Sequence, residues 1–166
     1  MTLEGANHVT ACTYVAYQSN PPSSGDHYPV PTQHKSYTTP VPRGFWVHNL
    51  EHGGVVFSYN CPAGCADEVA AAQAVIDAAP IDPTCSASGT ARRVLMTPDP
   101  HLDVRFAASA WGFTLRADCF DPAAFAAFLT AHYGMGPEAV CWDGPDQSLG
   151  QPAMCGEPGF VLPDGG

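Results

Sequence analysis

Residues 45–59 read FWVHNLEHGGVVFSY, and the organisation of the chain follows from this stretch. The apolar runs on either side of Gly53-Gly54 predict two short strands, at 45–50 and 54–59, with the two glycines as the break between them. His48 and His52 lie within the stretch, and Glu51 directly precedes the second histidine. On a straight strand the two imidazoles would lie about 13 Å apart. One metal ion shared by them therefore requires a turn or helical kink here.

The chain around this stretch predicts two helices and further short strands. Residues 66–78 are rich in alanine and bounded by Pro62 and Pro80, which predicts a helix. Asp121-Pro122 has the form of an N-cap followed by proline, and predicts a second helix that runs to about His132. Three more segments have strand character: 9–17, 92–96 and 104–115.

These elements predict an α+β fold with a small, mainly antiparallel sheet, two helices and long Pro/Gly-rich loops. At 166 residues the length favours a single domain over 1–166. Within it, residues 1–44 are expected to be a loop-rich N-terminal segment, and residues 136–166 an irregular C-terminal tail. The 17 prolines and 16 glycines support long surface segments with fixed turns.

The charge of the chain restricts its partners. A formal net charge of −10 disfavours nucleic acid and anionic lipid surfaces, and makes cations the natural partners. No stretch is long and apolar enough to predict insertion into a membrane. The residues do not point to a particular protein partner.

Seven cysteines are scattered along the chain without a CxxC pair. This distribution predicts disulfides, and with them a secreted, periplasmic or cell-surface location. An odd count leaves one thiol over, and spacing alone does not fix the connectivity. The favoured pairs are Cys65–Cys85 and then Cys119–Cys141, each of which would join the two ends of a helix.

A transition-metal site is the favoured function of the histidines. His27 lies in the turn-rich segment 23–29 and supplies a third imidazole beside His48 and His52. Apolar flanks place the pair in the core, where each ring nitrogen needs a partner. Two further ligands are possible, His8 and the thioether of Met96. Copper is the first choice of metal, because export and a thioether suit it, and zinc is the second.

Two alternatives remain beside metal binding alone. The first is a metal-dependent enzyme, an oxidoreductase or a hydrolase, in which Glu51 serves as the base. HNLEH also matches the HxxEH motif of inverzincins, but the long helix that carries that motif is not predicted here, so a metallopeptidase is not favoured. The second alternative is a disulfide-stapled interaction module in which the histidines only pack.

Several blocks of the sequence resemble the bacterial family known as domain of unknown function 3105. They are PPSSGDHYP at 21–29, VHNLEHGGVV at 47–56, VLMTP at 94–98 and ASAWG at 108–112, with His8-Val9 near the start. The resemblance covers roughly residues 8–135. It implies that the protein is exported and that His27, His48 and His52 belong to one site, but it implies no activity. The chain departs from the family pattern in its extra cysteines and at 30–43, where relatives often carry a Gly-Val-Tyr block.

Overall fold

The computed structural model describes residues 3–138 and 140–148, and within them the chain forms three α-helices and four β-strands. In chain order these are α1 (Arg43–Glu51), β1 (Val55–Tyr59), α2 (Ala66–Ala78), β2 (Val94–Pro98), β3 (Phe106–Ala110), β4 (Phe113–Ala117) and α3 (Pro122–His132). A short 3-10 turn at Ser86–Ser88 lies between α2 and β2.

The four strands form one mixed sheet in the order β2-β1-β3-β4. β1 pairs in parallel with β2, with Val55 opposite Val94, and α2 makes the crossover between them. β3 runs antiparallel to both β1 and β4. The predicted α+β fold with a small, mainly antiparallel sheet is therefore confirmed.

The predicted strand at 45–50 is wrong, because these residues belong to α1. All nine residues of α1 are buried, so the helix lacks the polar face that gives an amphipathic helix its sequence period. A short run that is buried on every side cannot be distinguished from a buried strand by periodicity. The helix is followed by Gly53, whose φ of 78° is the left-handed conformation that glycine adopts readily.

The other predicted elements agree with the structure to different degrees. The helices expected at 66–78 and from Pro122 to about His132 are confirmed, and the side chain of Asp121 caps α3 by accepting from two backbone N–H groups. The strand expected at 9–17 does not form, and an isolated bridge between His8 and His27 lies beside that segment. The single region at 104–115 is two strands, β3 and β4, joined by a tight turn.

The two faces of the sheet pack against different parts of the chain. On one face, side chains that include Phe57 and Met96 form an apolar core with α2 and α3. On the other face, Val56 and Leu95 pack against Trp46 and Leu50 of α1. α1 is thus enclosed between the sheet and the loop-rich N-terminal segment.

Two disulfides join described residues, and both predicted pairs are wrong. Cys61 pairs with Cys65 and Cys85 pairs with Cys141, whereas Cys119 is an exposed free thiol. A turn brings Cys61 and Cys65 within 5.8 Å between Cα atoms, and the returning C-terminal part of the chain supplies the partner of Cys85. The disulfides are consistent with an oxidising compartment.

The ends of the described chain carry little regular structure. No helix or strand forms before Arg43 or after His132 in the residues described. The loop-rich segment at 1–44 and the irregular tail at 136–166 stay predictions. The part of that tail at 149–166 lies outside the described residues. None of the helices described is long and apolar enough to cross a membrane. A single domain over 1–166 stays a prediction.

The two disulfides are expected to differ in their contribution to stability. Their closed loops span 56 residues for Cys85–Cys141 and 4 for Cys61–Cys65, and the loss of loop-closure entropy grows with loop length. Replacing Cys85 and Cys141 by alanine should lower the free energy of unfolding by about 4 kcal/mol, and replacing Cys61 and Cys65 by about 2 kcal/mol. Urea unfolding of the two double variants measures both losses, and equal losses would contradict this expectation.

Candidate metal centre

The end of α1 carries three buried polar side chains. His48 and Glu51 are one helical turn apart, and His52 is the residue that caps the helix. Their exposed fractions are 2%, 5% and 3%. The segment is therefore helical and not a straight strand, and the helix places these donor atoms in the interior of the protein.

The loop that follows the cis Asn20-Pro21 bond brings His27 to the same place. His27 is fully buried, and its Nδ1 lies 2.9 Å from the carbonyl oxygen of Gly25. Its Nε2 lies 3.0 Å from Oε2 of Glu51. The backbone of the same loop also holds α1, because Tyr28 N–H donates to the carbonyl of Gly44.

His8 completes the arrangement from the N-terminal segment. The backbone of His8 and His27 forms an isolated parallel bridge, with Val9 N–H donating to the His27 carbonyl. The His8 ring stacks on that of His48 with centroids 4.9 Å apart and an interplanar angle of 14°. Its Nε2 lies 3.8 Å from Oε2 of Glu51, and half of the His8 side chain is exposed. His8 is therefore the member of the group that faces solvent.

These four residues have the geometry of a metal-binding site. One donor atom from each of His8, His27, His48 and Glu51 lies within 4.8 Å of every other. Two donors that share one ion at bonds of about 2.1 Å are separated by about 3.4 Å in tetrahedral geometry. The group is thus geometrically able to hold a metal ion after small side-chain adjustments.

The hydrogen bonds of the histidines assign their protons. Nδ1 of His48 lies 2.6 Å from the carbonyl oxygen of Tyr28, so this nitrogen carries the proton and Nε2 keeps its lone pair. The Gly25 carbonyl assigns the Nδ1 proton of His27 in the same way. Nε2 of His27 then faces a second acceptor, the Glu51 carboxylate. With the proton on Nδ1, the Nε2 lone pair of His27 faces a carboxylate oxygen, and a proton or a metal ion between these two atoms removes the conflict.

His52 lies on the far side of His48. The two Nε2 atoms are 3.1 Å apart, and Nε2 of His52 is also 3.4 Å from Oε2 of Glu138. His52 is not a member of the four-residue group; with Glu51 and Glu138 it forms a second set of donors that lie within 4.8 Å of one another. Among the residues described, nothing hydrogen-bonds its buried Nδ1.

Burial keeps the imidazoles of α1 neutral. Desolvation, and to a smaller extent the neighbouring His48, lower the pKa of His52 to about 4, since a second positive charge is disfavoured there. Desolvation also lowers the pKa of His48, against the opposing effect of its hydrogen bond to Tyr28. Both rings are therefore free of their second proton at neutral pH, which is the form that binds metals.

The structure brings together His8, His27, His48, Glu51 and His52 but not Met96. Met96 is buried in the core with α2 and α3, on the opposite face of the sheet from α1. Three neighbours were not predicted from the sequence. They are Glu138, the Trp142 ring with its centroid 6.0 Å from that of His48, and His34, which contacts Asn49 of α1. All three reach the site through contacts between distant parts of the chain, and no local spacing signals them.

A protein-family model matches residues 8–143, a range that includes every helix, every strand and every donor named above. The chain belongs to this family. Its description is "Protein of unknown function (DUF3105)". No curated protein and no solved structure matches the chain. The family description names no activity, so the geometry of the site is the basis for its chemistry.

Acidification should destabilise the metal-free protein through protonation of His52. The unfolded His52 has a pKa of about 6.5, whereas the folded ring has a pKa of about 4, so the unfolded chain binds more protons between these values. Stability is then complete above pH 6.5 and falls as the pH is lowered toward 4. Between pH 7 and 5 the loss from His52 alone should be about 2 kcal/mol. Urea unfolding in the presence of a chelator measures it.

The variant His52→Gln serves as the control for this dependence, since it removes the titrating ring. It should retain a shallower slope over the same range, which the lowered pKa of His48 supplies. Equal slopes in the variant and the unaltered protein would contradict the assignment to His52.

Proposed function

We propose that the protein binds a divalent transition metal through His27, His48 and Glu51, with His8 as the fourth donor. The observation that carries the proposal is the His27–Glu51 pair. His27 is fully buried, its two nitrogens face two acceptors, and the one at 3.0 Å is a carboxylate that is itself buried. A cation placed between these groups satisfies both, at donor separations that a single ion can bridge.

The donor set favours zinc or copper(II). Three imidazoles and one carboxylate suit either ion, since both bind nitrogen and oxygen ligands readily. The thioether of Met96, which favoured copper over zinc at the level of sequence, lies on the other face of the sheet. Nothing in the donor set then favours copper(I), and Zn²⁺ and Cu²⁺ are the two ions to test.

One observation supports catalysis as a second candidate function. Half of the His8 side chain is exposed, so an ion in the site would be reached by solvent from that side. An ion with a solvent-facing position can polarise a bound molecule or activate water. Glu51 is the proposed base of such an enzyme, but here its Oε2 is directed at His27 and occupies the position of a ligand. Metal binding is therefore the function that the geometry supports better.

Removal of one ligand should separate metal binding from mere packing. The untagged chain, stripped with a chelator, is titrated with Zn²⁺ and with Cu²⁺, and the metal retained after gel filtration is measured by elemental analysis. The unaltered protein should retain metal, and His48→Ala should weaken its affinity at least about tenfold. His101→Ala is the matched control, because His101 lies outside the donor groups and should leave the affinity unchanged.

The same samples provide a stability measurement. An ion at about 100 times its dissociation constant should stabilise the folded chain by about 2.7 kcal/mol, and His48→Ala should lose this increment. If the stripped protein binds neither ion while His48→Ala still unfolds more easily, the histidines only pack and the interaction module is the better description.

A further inference from the structure

We infer that the site has a second metal position, held by His52 and Glu138 and sharing Glu51 with the first. The protein would then carry a carboxylate-bridged pair of ions. This inference rests on the proposed function, because the shared ligand is Glu51 in both positions.

The donors form two groups, and the members of the two together do not all lie within 4.8 Å of one another. Glu51, His52 and Glu138 each offer an atom within 4.8 Å of the others, and Glu51 is the member that this group shares with the group of His8, His27 and His48. Donors bound to a single ion at about 2.1 Å can be at most about 4.2 Å apart. His52 and Glu138 are outside the first group, so a single ion leaves them unused. The two oxygens of one carboxylate can reach two ions about 3.5–4 Å apart, the separation of known two-metal sites.

Glu138 is held beside α1 by its own backbone. Its N–H donates to the carbonyl of Glu51 at 3.1 Å, and the N–H of Gly134 donates to the carbonyl of Gly53 at 2.8 Å. The segment between them approaches so closely that a Cβ at Gly136 would overlap the backbone of Gly53. The main chain thus fixes where the Glu138 side chain starts, although that side chain is 53% exposed.

The surroundings of this position favour a cation. It lies at the C-terminal end of α1, where the aligned peptide dipoles of the helix give a partial negative charge. Glu51 and Glu138 add two carboxylates beside the buried ring of His52. The nearby guanidinium of Arg93, which donates to the His52 carbonyl at 2.6 Å, is paired with the buried Asp82. Because Arg93 is paired with Asp82, the carboxylates of Glu51 and Glu138 can attract a second cation.

The second ion is expected to bind more weakly than the first. It has three protein donors, against four in the other position, and one of them is half exposed. Its remaining coordination positions face solvent on the Glu138 side. The second ion would therefore be exposed and exchangeable beside the buried first ion, and a small ligand from solvent could bridge the two.

The experiment counts ions and tests whether they are close. The untagged, chelator-stripped chain is loaded with Zn²⁺ and, separately, with Cu²⁺, in the unaltered form and as Glu138→Gln. Glu68→Gln is the matched control, since it removes another partly exposed carboxylate that pairs with Arg105 and lies outside both donor groups. Elemental analysis gives the stoichiometry, and electron paramagnetic resonance of the Cu²⁺ samples reports whether two ions interact.

The inference expects two ions in the unaltered protein and in Glu68→Gln, and one in Glu138→Gln. The doubly loaded Cu²⁺ protein should show magnetic coupling, whereas Glu138→Gln should give the spectrum of an isolated ion with full intensity. One ion in the unaltered protein would overturn the second position and leave the proposed function standing, and no ion would overturn both. Two ions that persist in Glu138→Gln, or two ions without coupling, would overturn the assignment to Glu138 or the shared Glu51.

Discussion

The complete burial of residues 41–58 is the constraint on which the rest of the structure depends. Every residue from the start of this range through α1 and most of β1 is buried, including the polar ones. A buried polar group needs a partner inside the protein, and the chain supplies one in most cases. Arg43 pairs with Asp99 at 2.9 Å, Asn49 exchanges hydrogen bonds with Thr32, and His48 donates to Tyr28. The long irregular N-terminal segment supplies two of these three partners, Thr32 and Tyr28.

The sheet separates two kinds of interior. On the side of α2 and α3 the contacts are almost entirely apolar, with Phe57 and Phe125 at the centre. On the side of α1 the same sheet supports aromatic side chains that surround polar ones, and the His27 ring meets Trp111 edge to face at 6.2 Å. The apolar side supplies stability through burial alone. This stability offsets the cost of burying polar side chains such as His27, His48 and Glu51 on the side of α1.

How much could be predicted from the sequence depended on whether the signal was local. α2 and α3 follow from alanine content, prolines and the Asp121 cap, and the interest of His27, His48 and His52 follows from a turn-rich loop and a four-residue spacing. α1 could not be identified, because a helix without a polar face has no period to detect. The disulfide partners and Glu138 could not be identified either, since each depends on where a distant segment returns. The three histidines and Glu51 were thus singled out from the sequence, whereas the place of Glu138 beside them required the fold.

The Cys85–Cys141 disulfide has a consequence for how the site is assembled. Cys141 is followed directly by Trp142, whose ring lies near those of His48 and His52, and by Asp143, which accepts from His34 at 3.1 Å. In a reduced chain these two residues are held beside α1 by noncovalent contacts alone. Folding alone places the donors of α1 and of the N-terminal segment, whereas the disulfide also holds Trp142 and Asp143 beside them. Formation of this disulfide therefore bears on the histidines of the site through Trp142 and Asp143.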